Sequence, residues 1–179
     1  MQKAKWYQKS DMIVALSAIV VSVAAVGVGV YSAYIERSFA RASTWPHLEV
    51  FRSFNYEPAL YSLLVNNQGT GPAIIHYAIL EQDGAQYVSW NAWVEDQFPV
   101  PQSYFTQSHI GSRVLSTGQS VTVFTTTAPD LARAIRKADD VNLTLCYCSV
   151  YEECWLTDRS NKKQDVDDCD LPDQDIFSQ

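Results

Sequence analysis

The feature that most constrains this chain is an apolar run over residues 12–35 that contains no charged residue. As a helix rising about 1.5 Å per residue, the run spans roughly 36 Å, slightly more than a hydrocarbon core of about 30 Å. Trp6 and Tyr7 precede the run, and Tyr31 and Tyr34 lie at its end, where aromatic side chains favour the headgroup level. The run therefore predicts a transmembrane helix over residues 12–35.

The alternative to a retained anchor is a cleaved signal peptide. Ser38 and Ala40 supply small residues before a cut at Arg41. Against this alternative, the apolar run is about twice as long as a signal h-region, and Glu36 and Arg37 interrupt the approach to the cleavage site. These features favour a retained single-pass anchor.

The chain beyond the anchor has the pattern of a β-rich domain over residues 47–158. Residues 36–46 form a connector, in which we expect the helix to continue until Pro46 disfavours helical geometry at the residue before it. Short alternating or β-branched runs follow, separated by turn signals such as Asp83-Gly84 and Thr117-Gly118. The runs are LEVFRSF, LYSLLVNN, AIIHYAILEQDG, HIGSRVLS, QSVTVFTTT, VNLTLCYCSVY and ECWLTD.

Two helical patterns interrupt these runs and complete the predicted fold. SWNAWVEDQF begins with Ser89 as a candidate cap, and PDLARAIRKADD places Asp130 near its start and basic residues near its end, as the helix macrodipole favours. We predict a mainly β protein, in which an N-terminal transmembrane helix is followed by an antiparallel immunoglobulin-like β-sandwich with two short inserted helices. NNQGTGPA predicts a tight corner between strands and not a phosphate cradle, because no helix or nearby lysine follows it.

Five residues form a tentative surface for binding a partner. Trp90, Trp93 and Phe98 recur at near-helical spacing, which suits packing over one sheet edge, although the same side chains would suit a ligand groove. Val150 and Tyr151 lie at the predicted tip of the last hairpin.

Residues 159–179 predict an acidic tail. Six aspartates fall between positions 165 and 175. A helix-loop-helix calcium site would need a central glycine and a terminal glutamate, which this segment lacks. A solvated tail is therefore the favoured interpretation.

The four cysteines follow the pattern C-x-C-x5-C-x14-C. On a strand, Cys146 and Cys148 project from one face, and a hairpin centred on Tyr151 places Cys148 opposite Cys154, within the range of a disulfide. Cys146 is then left for Cys169, which makes this pairing the favoured one of the three that four cysteines allow. A metal site and a reactive thiol remain alternatives, although neither a zinc-knuckle spacing nor a C-x-x-C at a helix start is present.

Charge and cysteine content predict one topology. Three lysines lie among residues 1–11, whereas Arg37 and Arg41 follow the run, which favours a cytoplasmic N terminus. Disulfides require an oxidising compartment, which agrees with an extracytoplasmic domain. The chain has a net charge of −7, and residues 1–35 contain three lysines and one aspartate, so the remainder carries about −9. Such a domain is not suited to nucleic acid.

Four segments behind the anchor carry a resemblance to a known group of proteins. They are, in chain order, WPHLEV, NNQGTGPA, SRVLSTGQSV and CYCSVYEECW. In this order the chain resembles a group of uncharacterised bacterial proteins with one membrane span and an extracytoplasmic sandwich domain. The resemblance covers nearly the whole chain except the acidic tail. It implies the bacterial inner membrane, with residues 1–11 in the cytoplasm and the C-terminal domain in the periplasm, and it implies no particular activity.

The anchor carries a stripe of small residues. Ala18, Ser22, Ala25 and Gly29 recur at intervals of three and four, a spacing that suits close helix association. The partner along this stripe would be a second copy of the chain or another membrane protein.

The expected function is binding, not catalysis. His47, His76 and His109 lie far apart in sequence and in no recognisable acid–base or nucleophile motif, so we expect no enzyme activity, no cofactor and no metal. We expect a membrane-anchored extracytoplasmic binding or assembly module that acts on another envelope protein. The alternatives are an envelope enzyme whose site is dispersed in sequence, and a structural subunit of a membrane complex that associates through its transmembrane helix.

Overall fold

The computed structural model describes residues 10–99, 104–138, 140–170 and 177. The chain divides into two compact units, Met1–Ala42 and Ser43–Gln179. Helix α1 (Ser10–Ser43) makes up the described part of the first unit, and the second unit contains helices α2 (Trp90–Gln97) and α3 (Pro129–Ala138) and the described strands. The predictions made for Trp6, Tyr7 and the N-terminal lysines lie outside the described residues.

Helix α1 is apolar on all sides over residues 12–35. Its most apolar window of 18 residues has a mean hydropathy of 2.6, and none of its residues is buried. The hydroxyls of Ser17, Ser22 and Ser38 each donate to a backbone carbonyl three or four residues earlier, at 2.7 to 3.0 Å, so these polar groups are satisfied within the helix. By length and composition the helix is able to cross a membrane, a property that a signal sequence near the N terminus shares. The helix continues to Ser43 and ends shortly before Pro46, as the sequence predicts.

The second unit contains two antiparallel sheets. In chain order the described strands are β1 (Leu48–Tyr56), β2 (Ala59–Asn67), β3 (Ala73–Gln82), β4 (Ala85–Tyr87), β5 (Thr106–Gln107), β6 (Arg113–Leu115), β7 (Ser120–Thr126), β8 (Asn142–Cys148), β9 (Cys154–Thr157) and β10 (Gln164–Val166). Sheet A has the order β1-β2-β7-β5, and sheet B has the order β10-β9-β8-β3-β4, with β6 also paired to β3. The predicted mainly β fold after an N-terminal helix agrees with this arrangement.

Three strands, β4, β5 and β10, are absent from the sequence prediction. Each has only two or three residues, which is too short to show an alternating pattern. Strand β4 follows β3 across the predicted turn, where Asp83 and Gly84 both have positive φ angles of 52° and 79°, as a type I′ hairpin turn requires.

Both sheets contribute to one core. Strand β2 alternates buried and half-buried residues along its whole length, because one of its faces is turned inward. Helix α3 buries Leu131, Ala132 and Ile135 and contacts β2 and β7, so it covers part of the inner face of sheet A. The largest fully buried side chains are Trp90, Trp93, Tyr147, Phe124, Phe177, Leu48, Ile75, Leu80, Ile110, Leu115, Leu131 and Ile135.

The segment between β2 and β3 forms the predicted corner. The buried Asn67 holds it: its Nδ2 donates to the carbonyls of Gly71 and Leu115 at 2.8 and 3.0 Å, and its Oδ1 accepts from the backbone N–H of Gly69 at 3.0 Å. A Cβ atom at Gly71 would overlap the backbone of Thr44. The corner therefore needs glycine because another backbone segment lies against it.

The described part of the C-terminal segment, residues 159–170 and 177, is not the solvated tail that its composition predicts. Strand β10 pairs with β9, and the Trp155 Nε1–H donates to Asp165 Oδ1 at 2.6 Å. Cys169 is buried, and Phe177 lies in the core with its ring centroid 5.1 Å from that of Trp90. The acidic composition did not predict strand β10 or the burial of Cys169 and Phe177, because each of these depends on contacts with distant parts of the chain.

Candidate functional site

The inner face of sheet A changes character along its edge strand β1. Side chains two residues apart share a face of a strand, so Val50, Arg52, Phe54 and Tyr56 project from the same side. Val50 belongs to the core, but the next three positions hold an arginine and two aromatic residues that are only partly covered or exposed. A strand that departs from the core pattern on its inner face is a candidate functional site.

Three arginines from separate parts of the fold meet at this place. Arg52 comes from β1, Arg136 from the last turn of α3, and Arg159 from the segment after β9. They line a cavity of about 570 Å³, which we call the arginine cavity. Its lining consists of Val50, Phe51, Arg52, Phe54, Tyr56, Tyr61, Arg136 and Arg159.

The Arg136 guanidinium is held by two aromatic rings. Its Cζ lies 4.5 Å from the ring centroid of Phe54 and 4.3 Å from that of Tyr56. The two rings meet edge to face, with centroids 5.0 Å apart. A cation–π contact at an exposed site contributes about 0.5–1 kcal/mol and does not depend on the guanidinium N–H donors. The rings therefore position the charge while its donors can serve an acceptor.

Arg159 is positioned by the backbone around it. Its backbone N–H donates to Asn142 Oδ1 at 3.2 Å, and its Nη1 donates to the Val141 carbonyl at 3.2 Å. These bonds fix the segment after β9 against the start of β8. The guanidinium is therefore placed by the same chain segments that form sheet B.

Tyr61 lies at the buried end of the cavity. Only 2% of its surface is exposed, and its hydroxyl lies beside the Arg52 guanidinium. Burial raises the pKa of Tyr61 to about 12, against a smaller lowering by the positive charges of Arg52 and Arg159 and by a hydrogen bond with Arg52. The hydroxyl is therefore a neutral donor at physiological pH.

The charged side chains in the described lining of this cavity are all basic. The described lining contains three arginines and no carboxylate, whereas the chain has a net charge of −7. Guanidinium groups stay charged at any physiological pH and donate to carboxylates and phosphates in a planar, bidentate geometry. Arg136 is therefore able to bind an oxyanion beside the rings of Phe54 and Tyr56.

The cysteines form the two pairs that the sequence analysis favours. Cys148 pairs with Cys154 directly across the β8–β9 ladder, and Cys146 pairs with Cys169. The four side chains are buried in a cluster of their own on the outer face of sheet B. The sulfurs of Cys148, Cys154 and Cys169 lie within 4.8 Å of one another. In this oxidised state they are covalent links and not thiolate ligands, so a metal would require their reduction first.

The prediction that Trp90, Trp93 and Phe98 form part of a binding surface is wrong. Trp90 and Trp93 have no exposed surface and Phe98 has 7%, because all three pack in the core. The indole N–H of Trp93 donates to Gln82 Oε1 at 2.7 Å, which satisfies its polar atom inside the protein. These side chains are the apolar layer under α2 and cannot contact a partner.

The remaining predicted site residues are at the surface. Val150 and Tyr151 are 49% and 38% exposed in the turn of the β8–β9 hairpin. The small residues Ala18, Ser22, Ala25 and Gly29 lie on exposed positions of α1, and the Ser22 hydroxyl donates to the Ala18 carbonyl at 2.7 Å. Their association with another helix stays a prediction.

The histidines do not gather at the arginine cavity. His47 lies 3.6 Å from a Glu49 carboxylate oxygen and stacks on Trp45, and His76 is exposed on β3. None of the three lines the arginine cavity.

The arginines of the cavity were missed by sequence reasoning. Arg52, Arg136 and Arg159 are far apart in sequence, and each alone resembles an ordinary surface residue. The one available signal was Arg52, which occupies an inward position of the alternating strand LEVFRSF.

The fold and the site together define a class of protein. It is a mainly β domain with two disulfides and a cationic, aromatic cavity, preceded in the chain by an apolar helix. Comparisons with protein-family models, with curated proteins and with solved structures find no match to this chain.

Proposed function

We propose that this protein is a single-pass membrane protein whose extracytoplasmic domain binds or positions another envelope protein. The observation that carries the binding function is the arginine cavity, where the Arg136 guanidinium lies against the ring of Phe54 and the exposed ring of Tyr56. Helix α1 supplies the anchor in this proposal, and residues 1–11 lie in the cytoplasm.

The disulfides support the extracytoplasmic location. Disulfides such as Cys146–Cys169 and Cys148–Cys154 form and persist in oxidising compartments, and the bacterial periplasm is such a compartment. The inner membrane and the bacterial source are part of this proposal, and they rest on the resemblance of four sequence segments to bacterial proteins with one span. The immunoglobulin-like sandwich is supported by two antiparallel sheets that share one core.

The chemistry of the cavity favours binding over catalysis. An arginine does not exchange protons near neutral pH, and burial holds the pKa of Tyr61 at about 12. General acid–base catalysis works best with groups whose pKa lies near the working pH. The groups in the arginine cavity are therefore suited to hold an anion in place and not to transfer its protons.

Crosslinking in native membranes tests this proposal. Tyr56, which is 68% exposed at the cavity, is replaced by p-benzoylphenylalanine in the full chain, and Val114, which is 56% exposed on sheet B, is replaced in the matched control. We expect a specific crosslinked envelope protein from position 56 and none from position 114. No crosslinked protein from position 56 would contradict the proposed function.

Topology is tested by labelling single added cysteines. Because the native cysteines are paired, a Ser10→Cys or Thr117→Cys variant carries one reactive thiol. A membrane-impermeant maleimide applied to spheroplasts should label position 117 and leave position 10 unlabelled. The reverse pattern would overturn the extracytoplasmic assignment.

A further inference from the structure

We infer that the two disulfides form a thiol–disulfide exchange site, at which an external dithiol opens the Cys148–Cys154 link and the released Cys148 thiolate then attacks Cys169. The exchange ends with a Cys148–Cys169 link and a free thiol at the buried Cys146. The site lies on the outer face of sheet B and shares no residue with the lining of the arginine cavity, so this activity goes beyond the proposed binding function.

The sulfurs of the two disulfides are close enough to exchange. The Sγ atoms of Cys148, Cys154 and Cys169 all lie within 4.8 Å of one another, although Cys169 is bonded to neither of the other two. Cys146 is not a member of this group, so Cys169 Sγ is the sulfur of its disulfide that faces the other link. In exchange, a thiolate attacks one sulfur of a disulfide and expels the other. A thiolate at Cys148 is therefore placed to attack Cys169 and expel Cys146.

Only part of the cysteine cluster is open to an external thiol. Cys148, Cys154 and Cys169 line a groove of about 470 Å³, in which they are 5%, 8% and 6% exposed. Cys146 has no exposed surface and does not line the groove. Cys154 is the most exposed of the four, so an external thiolate attacks there and releases Cys148. Cys146 is then reached only through exchange at Cys169.

The hairpin keeps Cys148 in place when its disulfide opens. Cys148 and Cys154 are partners in the β8–β9 ladder, independently of the bond between their sulfurs. In the turn, the backbone N–H of Ser149 donates to the Glu153 carbonyl at 2.8 Å, and Ser149 Oγ accepts from the backbone N–H of Glu153 at 3.4 Å. The released Cys148 thiolate therefore stays beside Cys169.

The segment that carries Cys169 is also held without its disulfide. Strand β10 ends three residues before Cys169 and pairs with β9. The Trp155 Nε1–H donates to Asp165 Oδ1 at 2.6 Å, which fixes β10 further. Opening the link between Cys146 and Cys169 therefore leaves Cys169 beside the hairpin.

Atoms and electrons balance over three exchanges. First, one thiolate of the dithiol attacks Cys154 Sγ, the bond between Cys154 and Cys148 breaks, and Cys148 leaves as a thiolate. Second, this thiolate attacks Cys169 Sγ, the bond between Cys169 and Cys146 breaks, and Cys146 takes up a proton. Third, the remaining thiol of the dithiol attacks the mixed disulfide, which frees the Cys154 thiol and releases a cyclic disulfide. The dithiol loses two electrons and two protons, which the protein gains as the thiols of Cys146 and Cys154.

The charge of the groove determines which thiols enter it. Its described lining contains four carboxylates and one histidine, which are Glu152, Asp167, Asp168, Asp170 and His76. Negative charges repel a thiol that carries a sulfonate and attract one that carries an ammonium group. The site therefore favours neutral or cationic thiols.

The first test maps the disulfides of the full chain in nanodiscs after partial reduction. The chain is treated with limiting dithiothreitol, alkylated with N-ethylmaleimide, and mapped by mass spectrometry without reduction. We expect molecules that keep one disulfide to carry the Cys148–Cys169 link, with Cys146 and Cys154 alkylated. One-disulfide molecules that retain only the native Cys146–Cys169 or Cys148–Cys154 link would overturn the inference.

A variant reproduces the intermediate without any reductant. Cys154→Ser leaves a thiol at Cys148, and we expect the purified variant to contain the Cys148–Cys169 link and a free Cys146. Retention of the native Cys146–Cys169 link with a free Cys148 would refute the exchange. Thr117→Cys is the matched control, because it adds an exposed thiol outside the groove lining and should keep both native links. Rearranged links in this control would indicate random scrambling and contradict the assigned site.

Reaction rates with different thiols test the access route. Cysteamine and 2-mercaptoethanesulfonate differ in charge, and each rate of opening is divided by the rate of the same thiol with 2-hydroxyethyl disulfide. We expect cysteamine to be favoured at least about threefold, with the preference falling as salt is added. Equal normalised rates would overturn access through the groove. A folded protein with a C-x-x-C dithiol is compared with dithiothreitol, and the faster of the two per thiolate identifies the source of the dithiol. Failure of both to open the links would refute the inference.

Discussion

Replacing Cys146 and Cys169 together by serine removes the disulfide that closes the longer of the two loops. Its cysteines are 23 residues apart, whereas Cys148 and Cys154 are six residues apart. In the chain-entropy model, closing loops of these lengths contributes about 3.4 and about 2.2 kcal/mol at 25 °C. The longer link also holds the segment that forms β10, whose Trp155–Asp165 hydrogen bond contributes about 1 kcal/mol.

We therefore expect the Cys146→Ser/Cys169→Ser variant to lose about 2 kcal/mol more stability than the Cys148→Ser/Cys154→Ser variant. The assay is urea unfolding of the full chain in nanodiscs, followed by tryptophan fluorescence. Both variants leave two buried serine hydroxyls, so the cost of burying them enters both sides of the comparison. Mass mapping without reduction checks that the remaining disulfide is intact in each variant.

A larger loss of stability in the Cys148→Ser/Cys154→Ser variant would refute this reasoning. If the Cys148→Ser/Cys154→Ser variant were the less stable, the contribution of these links would come from packing across the β8–β9 hairpin and not from loop closure. Equal losses would show that the segment around β10 is held by contacts other than the disulfide, such as the burial of Phe177.

Two further predictions concern the corner and the alkaline limit of stability. Gly71→Ala should lower the free energy of unfolding by about 2 kcal/mol or more in urea titrations, because the added methyl overlaps the Thr44 backbone. The control Gly111→Ala, whose added methyl meets only ordinary contacts, should cost less than about 0.5 kcal/mol, and a similar loss in both variants would contradict this account. Burial raises the pKa of both Tyr61 and Tyr147 to about 12, so their neutral forms stabilise the fold fully below about pH 10, and this stabilisation should be lost as the pH rises from about 10 to about 12. Tyr61→Phe should remove about half of that loss in thermal unfolding measured across this range, and an unchanged pH profile would show that Tyr61 ionises without cost.

The arginine cavity shows why the candidate site was hidden from sequence reasoning. Arg52, Arg136 and Arg159 become neighbours because β1 pairs with β2, α3 lies across β2, and the segment after β9 is fixed to the start of β8. Each contact joins residues that are distant in the chain. A periodic pattern reports which face of an element a residue is on, but it does not report what that face meets.

The aromatic residues of α2 show a second limit of prediction from sequence. Their spacing predicts a helix with one apolar face, and the structure has that helix with Ser89 as its cap. The same spacing also suits a binding surface that includes Trp90 and Trp93, because spacing does not distinguish a covered apolar face from an open one. The covering layer includes Phe124 of β7 and Phe177 from the end of the chain.

The sequence by itself determined the features that depend on local periodicity. An uncharged run longer than a bilayer is thick predicts an apolar helix, and a two-residue period places Cys148 opposite Cys154 once the hairpin turn is located. Only the tertiary structure decided which apolar residues are covered, that Phe177 lies in the core, and that three arginines share one cavity. These outcomes depend on long-range packing, in which the neighbours of a residue are chosen by the whole fold and not by the residues beside it in the chain.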